Sequence, residues 1–155
     1  MKRGLTILAL AALLVFPASI ARADDYGADS GDDTKTESQI EAEALMAKGD
    51  WKAAAPLLEA HVAGFPADDE AMAELGRVYD KLDDKETAYY YLKTALWINP
   101  RSLEANLYFG EYYIGLKDRA HALERLEALD HICIFGCGEY RTLKRELAAL
   151  GAETP

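Results

Sequence analysis

The chain carries little positive charge. Among its 155 residues, 17 are Lys or Arg and 27 are Asp or Glu, which gives a formal net charge of −10 at pH 7. Nucleic acids and anionic membrane surfaces are recognised through basic patches, so this composition argues against both classes of partner. The acidic excess favours solubility, and it fits either an ordinary solvated acidic surface or a basic protein partner.

The apolar run near the start of the chain, Leu5–Phe16, is too short to span a membrane, because a spanning helix needs about 20 apolar residues. A basic pair at residues 2–3 precedes it, and residues 21–23 (Ala-Arg-Ala) form an A-x-A cleavage site. This pattern predicts that residues 1–23 are a secretory signal peptide, and no Cys follows the run as a lipoprotein anchor would require. We therefore expect a periplasmic or secreted protein with no membrane insertion after cleavage.

Residues 24–35 have no apolar period. The stretch contains five Asp and two Gly with a single aromatic residue, a composition typical of a disordered leader. Its Asp cluster lacks the DxDxDG spacing and the distal Glu of a calcium-binding loop, so a metal site there is not expected.

The sequence motifs of catalysis are absent. The chain contains no Ser-His-Asp grouping, nucleophile elbow, P-loop, H-E-x-x-H or haem-binding C-x-x-C-H. Carboxylates are abundant, but a catalytic pair must converge in a cleft, which spacing alone does not show. We expect no enzymatic activity and no cofactor. His61 and His121 have polar neighbours on predicted helices and are interpreted as surface residues.

Cysteine is also scarce. The chain has two, Cys133 and Cys137, on either side of a Gly-containing break. In an exported protein such a pair predicts a disulfide, here one that fixes the angle between two neighbouring helices. Two alternatives stay open. One is a thiol-redox pair, although C-x3-C is not the thioredoxin-type C-x-x-C. The other is a copper or zinc site formed by His131 with both thiolates, which suit these metals.

What the chain does have is a repeating pattern with a period of about 34 residues, a length typical of helical repeats. Six columns recur at this spacing: small residues at Ala42, Gly76 and Gly110; large ones at Leu45, Tyr79 and Tyr113; Asp50, Asp84 and Asp118; Ala54, Ala88 and Ala122; Leu58, Leu92 and Leu126; and Pro66 and Pro100, with Ile134 as a departure. A small residue is needed where two helices touch backbone to backbone, and a large side chain fills the gap beside it. Such a period predicts a solenoid of stacked units.

These columns resemble the tetratricopeptide repeat (TPR) family over roughly residues 36–134. The resemblance implies an all-α TPR solenoid of three helix-turn-helix repeats, at about 36–67, 69–101 and 103–135, followed by a capping helix at 139–150. Residues 36–150 would then form one TPR domain of seven helices without strands. The first repeat is the weakest, because Glu41 replaces the apolar residue seen as Leu75 and Phe109.

The resemblance also implies a function, since TPR proteins usually bind an extended peptide or a helix in the groove lined by their first helices. The groove positions map onto Gln39, Glu43, Met46, Ala73, Arg77, Asp80, Leu107, Glu111 and Ile114. The family's carboxylate-clamp subtype, which holds an acidic C-terminal tail, is not matched, because only Arg77 could serve in it. We expect a protein-binding scaffold for an envelope protein or, as the alternative, a copper or thiol-redox accessory protein using Cys133 and Cys137.

Overall fold

The computed structural model describes residues 35–152. The predicted signal peptide, and the predicted leader except for Lys35, lie outside the described residues. Over the described part the chain forms seven helices: α1 (Glu37–Ala47), α2 (Trp51–Gly64), α3 (Asp69–Lys81), α4 (Lys85–Ile98), α5 (Leu103–Gly115), α6 (Arg119–Ile132) and α7 (Gly138–Ala152). The prediction of seven helices without strands is confirmed for this range. None of the described helices is long and apolar enough to cross a membrane.

Three helical hairpins stack in series. The first helices of successive hairpins follow one another as α3 against α5 and then α5 against α7, while α2 and α4 pack on the helix that starts the next hairpin. Each second helix begins with a capping Asp, whose carboxylate accepts from a backbone N–H three residues later. These caps are Asp50 to Ala53 (3.3 Å), Asp84 to Thr87 (3.1 Å) and Asp118 to His121 (3.2 Å). The recurring Asp column of the sequence therefore marks the starts of the second helices.

The small-residue column marks close approach between helices. A Cβ atom on Gly76 would lie 2.6 Å from Cγ and 3.0 Å from the backbone N of Leu92 in α4. On Gly110, a Cβ atom would lie 2.5 Å from Cδ2 of Leu143 in α7. Since real Cβ contacts do not come so close, each site requires glycine to keep the observed spacing.

Helix α7 continues the period of the first helices. Leu143 stands one period after Phe109, and both are buried. Leu143 and Leu147 pack with Ala122 and Leu129 of α6 in one apolar cluster. Lys144 occupies the small-residue column that follows Gly110, and its side chain is exposed. The capping helix thus takes the position of a fourth first helix.

Candidate functional site: the groove between the first helices

Two adjoining cavities form a groove along the first helices, and Arg77 lines both of them. The N-terminal cavity has a volume of about 420 Å³ and is lined by Lys35, Glu43, Met46, Ala47, Trp51, Glu70, Glu74, Arg77, Glu104 and Tyr108. The C-terminal cavity, of about 560 Å³, is lined by Arg77, Asp80, Lys81, Asp83, Lys85, Glu111, Ile114, Gly115 and Glu146. Ligand-binding clefts in proteins have volumes of this order.

Six of the nine predicted groove residues line these cavities: Glu43, Met46, Arg77, Asp80, Glu111 and Ile114. The other three, Gln39, Ala73 and Leu107, occupy the same position in successive repeats and do not line either cavity. Gln39 and Ala73 are buried, and Leu107 is half-buried against the apolar cluster of α6 and α7. The column one position later, which contains Glu74 and Tyr108, lines the N-terminal cavity instead.

Sequence reasoning also missed Lys35, Glu70 and Glu104 as cavity residues. The repeat pattern could have identified Glu70 and Glu104. They stand one period apart, and each lies one helical turn before a predicted groove residue, Ala73 or Leu107. No sequence pattern identifies Lys35 as a cavity residue, because it precedes the first helix and its contact residues Glu43 and Glu70 are remote in sequence.

An acidic cluster lies in the N-terminal cavity. One carboxylate oxygen from each of Glu43, Glu70 and Glu74 lies within 4.8 Å of the others. The Lys35 ammonium group donates to Glu43 at 2.5 Å and also to Glu70. The chain therefore places one of its own cations between two members of the cluster.

The third member of the cluster, Glu74, is almost fully buried. It is only 5 % exposed. Among residues 35–152 no group donates a hydrogen bond to its Oε2 atom. Burial, together with the negative charge of Glu43, raises the pKa of Glu74 to about 8, while the positive charge of Lys35 opposes the shift.

Arg77 separates the two cavities. Its guanidinium carbon lies 4.4 Å from the centre of the Tyr108 ring, and Nη2 lies 3.5 Å from Oε2 of Glu111. Its Nε atom has no hydrogen-bond acceptor within the described part of the chain. Burial raises the pKa of Glu111, and the charge of Arg77 opposes that shift. The guanidinium is thus held in place by an aromatic face and one carboxylate.

The prediction that His61 lies on the surface is wrong. His61 is 5 % exposed; its Nε2 hydrogen-bonds with Asp68 at 2.8 Å, and its Nδ1 hydrogen-bonds with Thr36 Oγ1 at 2.8 Å. Thr36 and Asp68 are the N-caps of α1 and α3, so the imidazole links the starts of two first helices. The repeat register does indicate that His61 is buried, because Ala95 occupies the same position one period later and is also buried.

His121, in contrast, is exposed as predicted. Its side chain retains 52 % of its accessible surface and pairs with Asp118 at 2.6 Å. The imidazole stacks on the Tyr113 ring with 4.9 Å between ring centres. These contacts stay within the third hairpin, and none of the three residues lines the two groove cavities.

Cys133 and Cys137 are joined in a disulfide, with 5.5 Å between their Cα atoms. Between them, Ile134 and Phe135 are 82 % and 99 % exposed. The side chain of His131 is 78 % exposed, and its Nε2 lies 3.8 Å from Glu127. The copper and thiol-redox alternatives need free thiolates; they stay predictions, which a free-thiol assay on the isolated protein would test.

Comparison with known proteins places the fold. No protein-family model matches the sequence, and no curated protein matches it. The structure is similar to the TPR2B domain of yeast Sti1 in its complex with pHsp70, with a TM-score of 0.67 and 19 % sequence identity. The similarity covers 76 % of this chain and 95 % of that one. The chain therefore has a TPR-like, all-α helical-repeat fold, as the sequence period predicts.

Proposed function

We propose that the protein is an exported interaction module whose groove binds a peptide or a helix of an envelope protein. The observation that carries this proposal is the pair of unpartnered polar atoms in the groove: within residues 35–152, neither Glu74 Oε2 nor Arg77 Nε has a hydrogen-bond partner. A buried polar atom without a partner costs about 1–3 kcal/mol. A ligand that supplies the missing partners recovers that free energy on binding.

The similarity to the Sti1 domain supports a role in protein binding. That domain was solved as a complex with pHsp70, so a fold of this kind can present a protein-binding face. The carboxylates in the present groove differ from the clamp of Lys, Arg and Asn that holds acidic tails in that family. We therefore propose the class of partner, a protein segment, without transferring the partner itself.

Export rests on the sequence of residues 1–23. The expected product is a chain that starts at Asp24, found in the periplasmic or secreted fraction. N-terminal sequencing of the fractionated protein checks this, with Ala23→Arg as the matched variant that blocks the small-residue cleavage site. A wild-type chain that still begins at Met1 and stays in the cytoplasm would contradict export.

Binding is tested by capturing partners from an envelope extract and identifying them by mass spectrometry. Arg77→Glu reverses the charge between the two cavities, so it should weaken capture of a ligand that places an acidic group there and strengthen capture of one that places a basic group there. Arg101→Glu makes the same charge change at an exposed position between α4 and α5 and should leave capture unchanged. Equal capture by both variants would show that the groove is not the binding surface.

A further inference from the structure

The N-terminal cavity is built around a cation. Three carboxylates converge within 4.8 Å, and the ammonium group of Lys35 contacts two of them, Glu43 and Glu70. The third, Glu74, is 5 % exposed and keeps one oxygen that finds no donor in the described chain. Lys35 thus supplies only part of the positive charge and hydrogen-bond donors that the cluster can accept.

Lys35 is a replaceable occupant. It precedes α1, which begins at Glu37, and its side chain stays 35 % exposed in the ion pair. Its two carboxylate partners are 35 % and 41 % exposed. Exposed ion pairs contribute little to stability because solvent screens the charges, so a better-placed cation can displace this one.

The walls of the cavity suit a long basic side chain. Besides the carboxylates, the lining includes the side chains of Met46, Trp51 and Tyr108. The aliphatic stem of Lys or Arg packs well on such apolar surface, and a guanidinium also stacks on aromatic rings. Arg77 over the Tyr108 ring shows this stacking at the edge of the same cavity.

We propose that Glu43, Glu70 and Glu74 form a recognition pocket for one Arg or Lys side chain of the partner, which enters in place of Lys35. The inference rests on the proposed function, because it names the chemistry that one end of the groove selects. A guanidinium carries five N–H donors against the three of an ammonium group. It can therefore satisfy all three carboxylates at once, including the oxygen of Glu74 that lacks a donor among residues 35–152.

The probe for this pocket is a fluorescein-labelled tetra-arginine peptide, and the control probe replaces each arginine with uncharged citrulline. Binding is followed by fluorescence anisotropy at physiological salt. Glu74→Gln removes the buried ionisable carboxyl, and Glu127→Gln makes the same substitution on α6, where the Glu127 side chain is 76 % exposed. Glu43→Gln serves as a second pocket variant if circular dichroism shows that Glu74→Gln does not fold.

We expect the wild-type protein to bind tetra-arginine and not the citrulline peptide. Above pH 8, where the Glu74 carboxyl is mostly ionised, Glu74→Gln should weaken binding about tenfold, the effect of losing one charged hydrogen bond. Glu127→Gln should leave binding unchanged, and Lys35→Gln should strengthen it because the internal competitor is gone. Equal weakening by Glu74→Gln and Glu127→Gln would mean that the peptide binds non-specifically to the overall acidic surface, and the proposal would fail.

The pH dependence is a separate readout of Glu74. Since burial raises its pKa to about 8, the carboxyl must lose a proton to accept a cation. Wild-type affinity should therefore rise between about pH 6 and pH 8, and Glu74→Gln should show no such rise. The charged and titratable groups around Glu74 are Lys35 and Glu43 on the α1 side, Glu70 and Arg77 on α3, and Glu104 and Tyr108 on α5.

Two further outcomes would overturn the pocket. If Ca²⁺ or Mn²⁺ alone binds to the cluster and displaces the peptide, the site is a metal site. If the peptide does not bind at all, the cluster is only a structural ion pair. Neither outcome touches the proposed function, which the capture experiment tests separately. A Glu74→Gln variant that captures the same partner as wild type would leave the interaction module in place and remove the pocket alone.

Discussion

The two ends of the array join their first helices differently. At the C-terminal end, α5 and α7 meet through Gly110 and Leu143, which touch closely. At the N-terminal end, α1 packs on α2, and charged side chains occupy the cavity that α1 and α3 line. One column shows where the array begins: α3, α5 and α7 have the buried Leu75, Phe109 and Leu143, whereas α1, which no described helix precedes, has the exposed Glu41. The carboxylates that line the N-terminal cavity come from other positions of α1 and α3, namely Glu43, Glu70 and Glu74.

The largest expected effect lies at the C-terminal contact. Leu143→Ala should lower the free energy of unfolding by about 3–5 kcal/mol, the upper part of the range for Leu→Ala, because the side chain is completely buried. Leu123→Ala on α6, where Leu123 is 43 % exposed, should change it by less than about 0.5 kcal/mol. Urea denaturation compares the two. Similar small effects would show that α7 does not stabilise the array.

At the N-terminal end, Glu74→Gln should stabilise the protein in a pH-dependent way. An unfolded Glu ionises near its ordinary pKa, whereas the folded Glu74 ionises at about 8. Wild-type stability therefore falls as pH rises between these values, by at most about 1.4 kcal/mol per pH unit. Between pH 5 and pH 8 the advantage of the variant should grow by an amount on the order of 3 kcal/mol. Urea denaturation at both pH values measures it, and a constant difference would contradict a buried, protonated Glu74.

The smallest expected change in the free energy of unfolding tests the close contact between Gly110 and Leu143. In Gly110→Ala the new methyl would lie 2.5 Å and 2.6 Å from the two Cδ atoms of Leu143. We expect a loss of about 1–2 kcal/mol from overpacking, reduced by the better helix propensity of Ala. Gly115→Ala meets no atom within 4 Å in the described structure and should stabilise by about 0.5 kcal/mol. In the Leu143→Ala background, Gly110→Ala should cease to destabilise, because the clashing atoms are gone.

Most of the fold could be predicted because its signals are local or periodic. Each of the predicted repeats, at about 36–67, 69–101 and 103–135, contains one helical hairpin of the structure. The small-residue column placed the close contacts at Gly76 and Gly110. These features depend on hydrogen bonds within a few residues or on a spacing that repeats.

The site was less predictable, because a groove depends on how each helix is turned about its axis. One residue on a helix corresponds to about 100°, so a shift of one position moves a side chain from the groove into the core. This is why Ala73 is buried while Glu74 lines the cavity. His61 was misjudged from its polar neighbours, although its own column is apolar in the second repeat, where it holds Ala95. The contacts of Lys35 with Glu43 and Glu70 join parts of the chain that no local pattern connects.

The exposed Lys144 affects how copies of the chain can meet. Repeat arrays carry a built-in risk, because the last unit ends in a surface shaped to receive one more. Here the column that holds a small residue in the three earlier first helices (Ala42, Gly76 and Gly110) holds Lys144 instead, and its ammonium group lies beside the Tyr140 ring. An incoming hairpin would have to strip the water from that charge, so end-to-end polymerisation is disfavoured by one side chain.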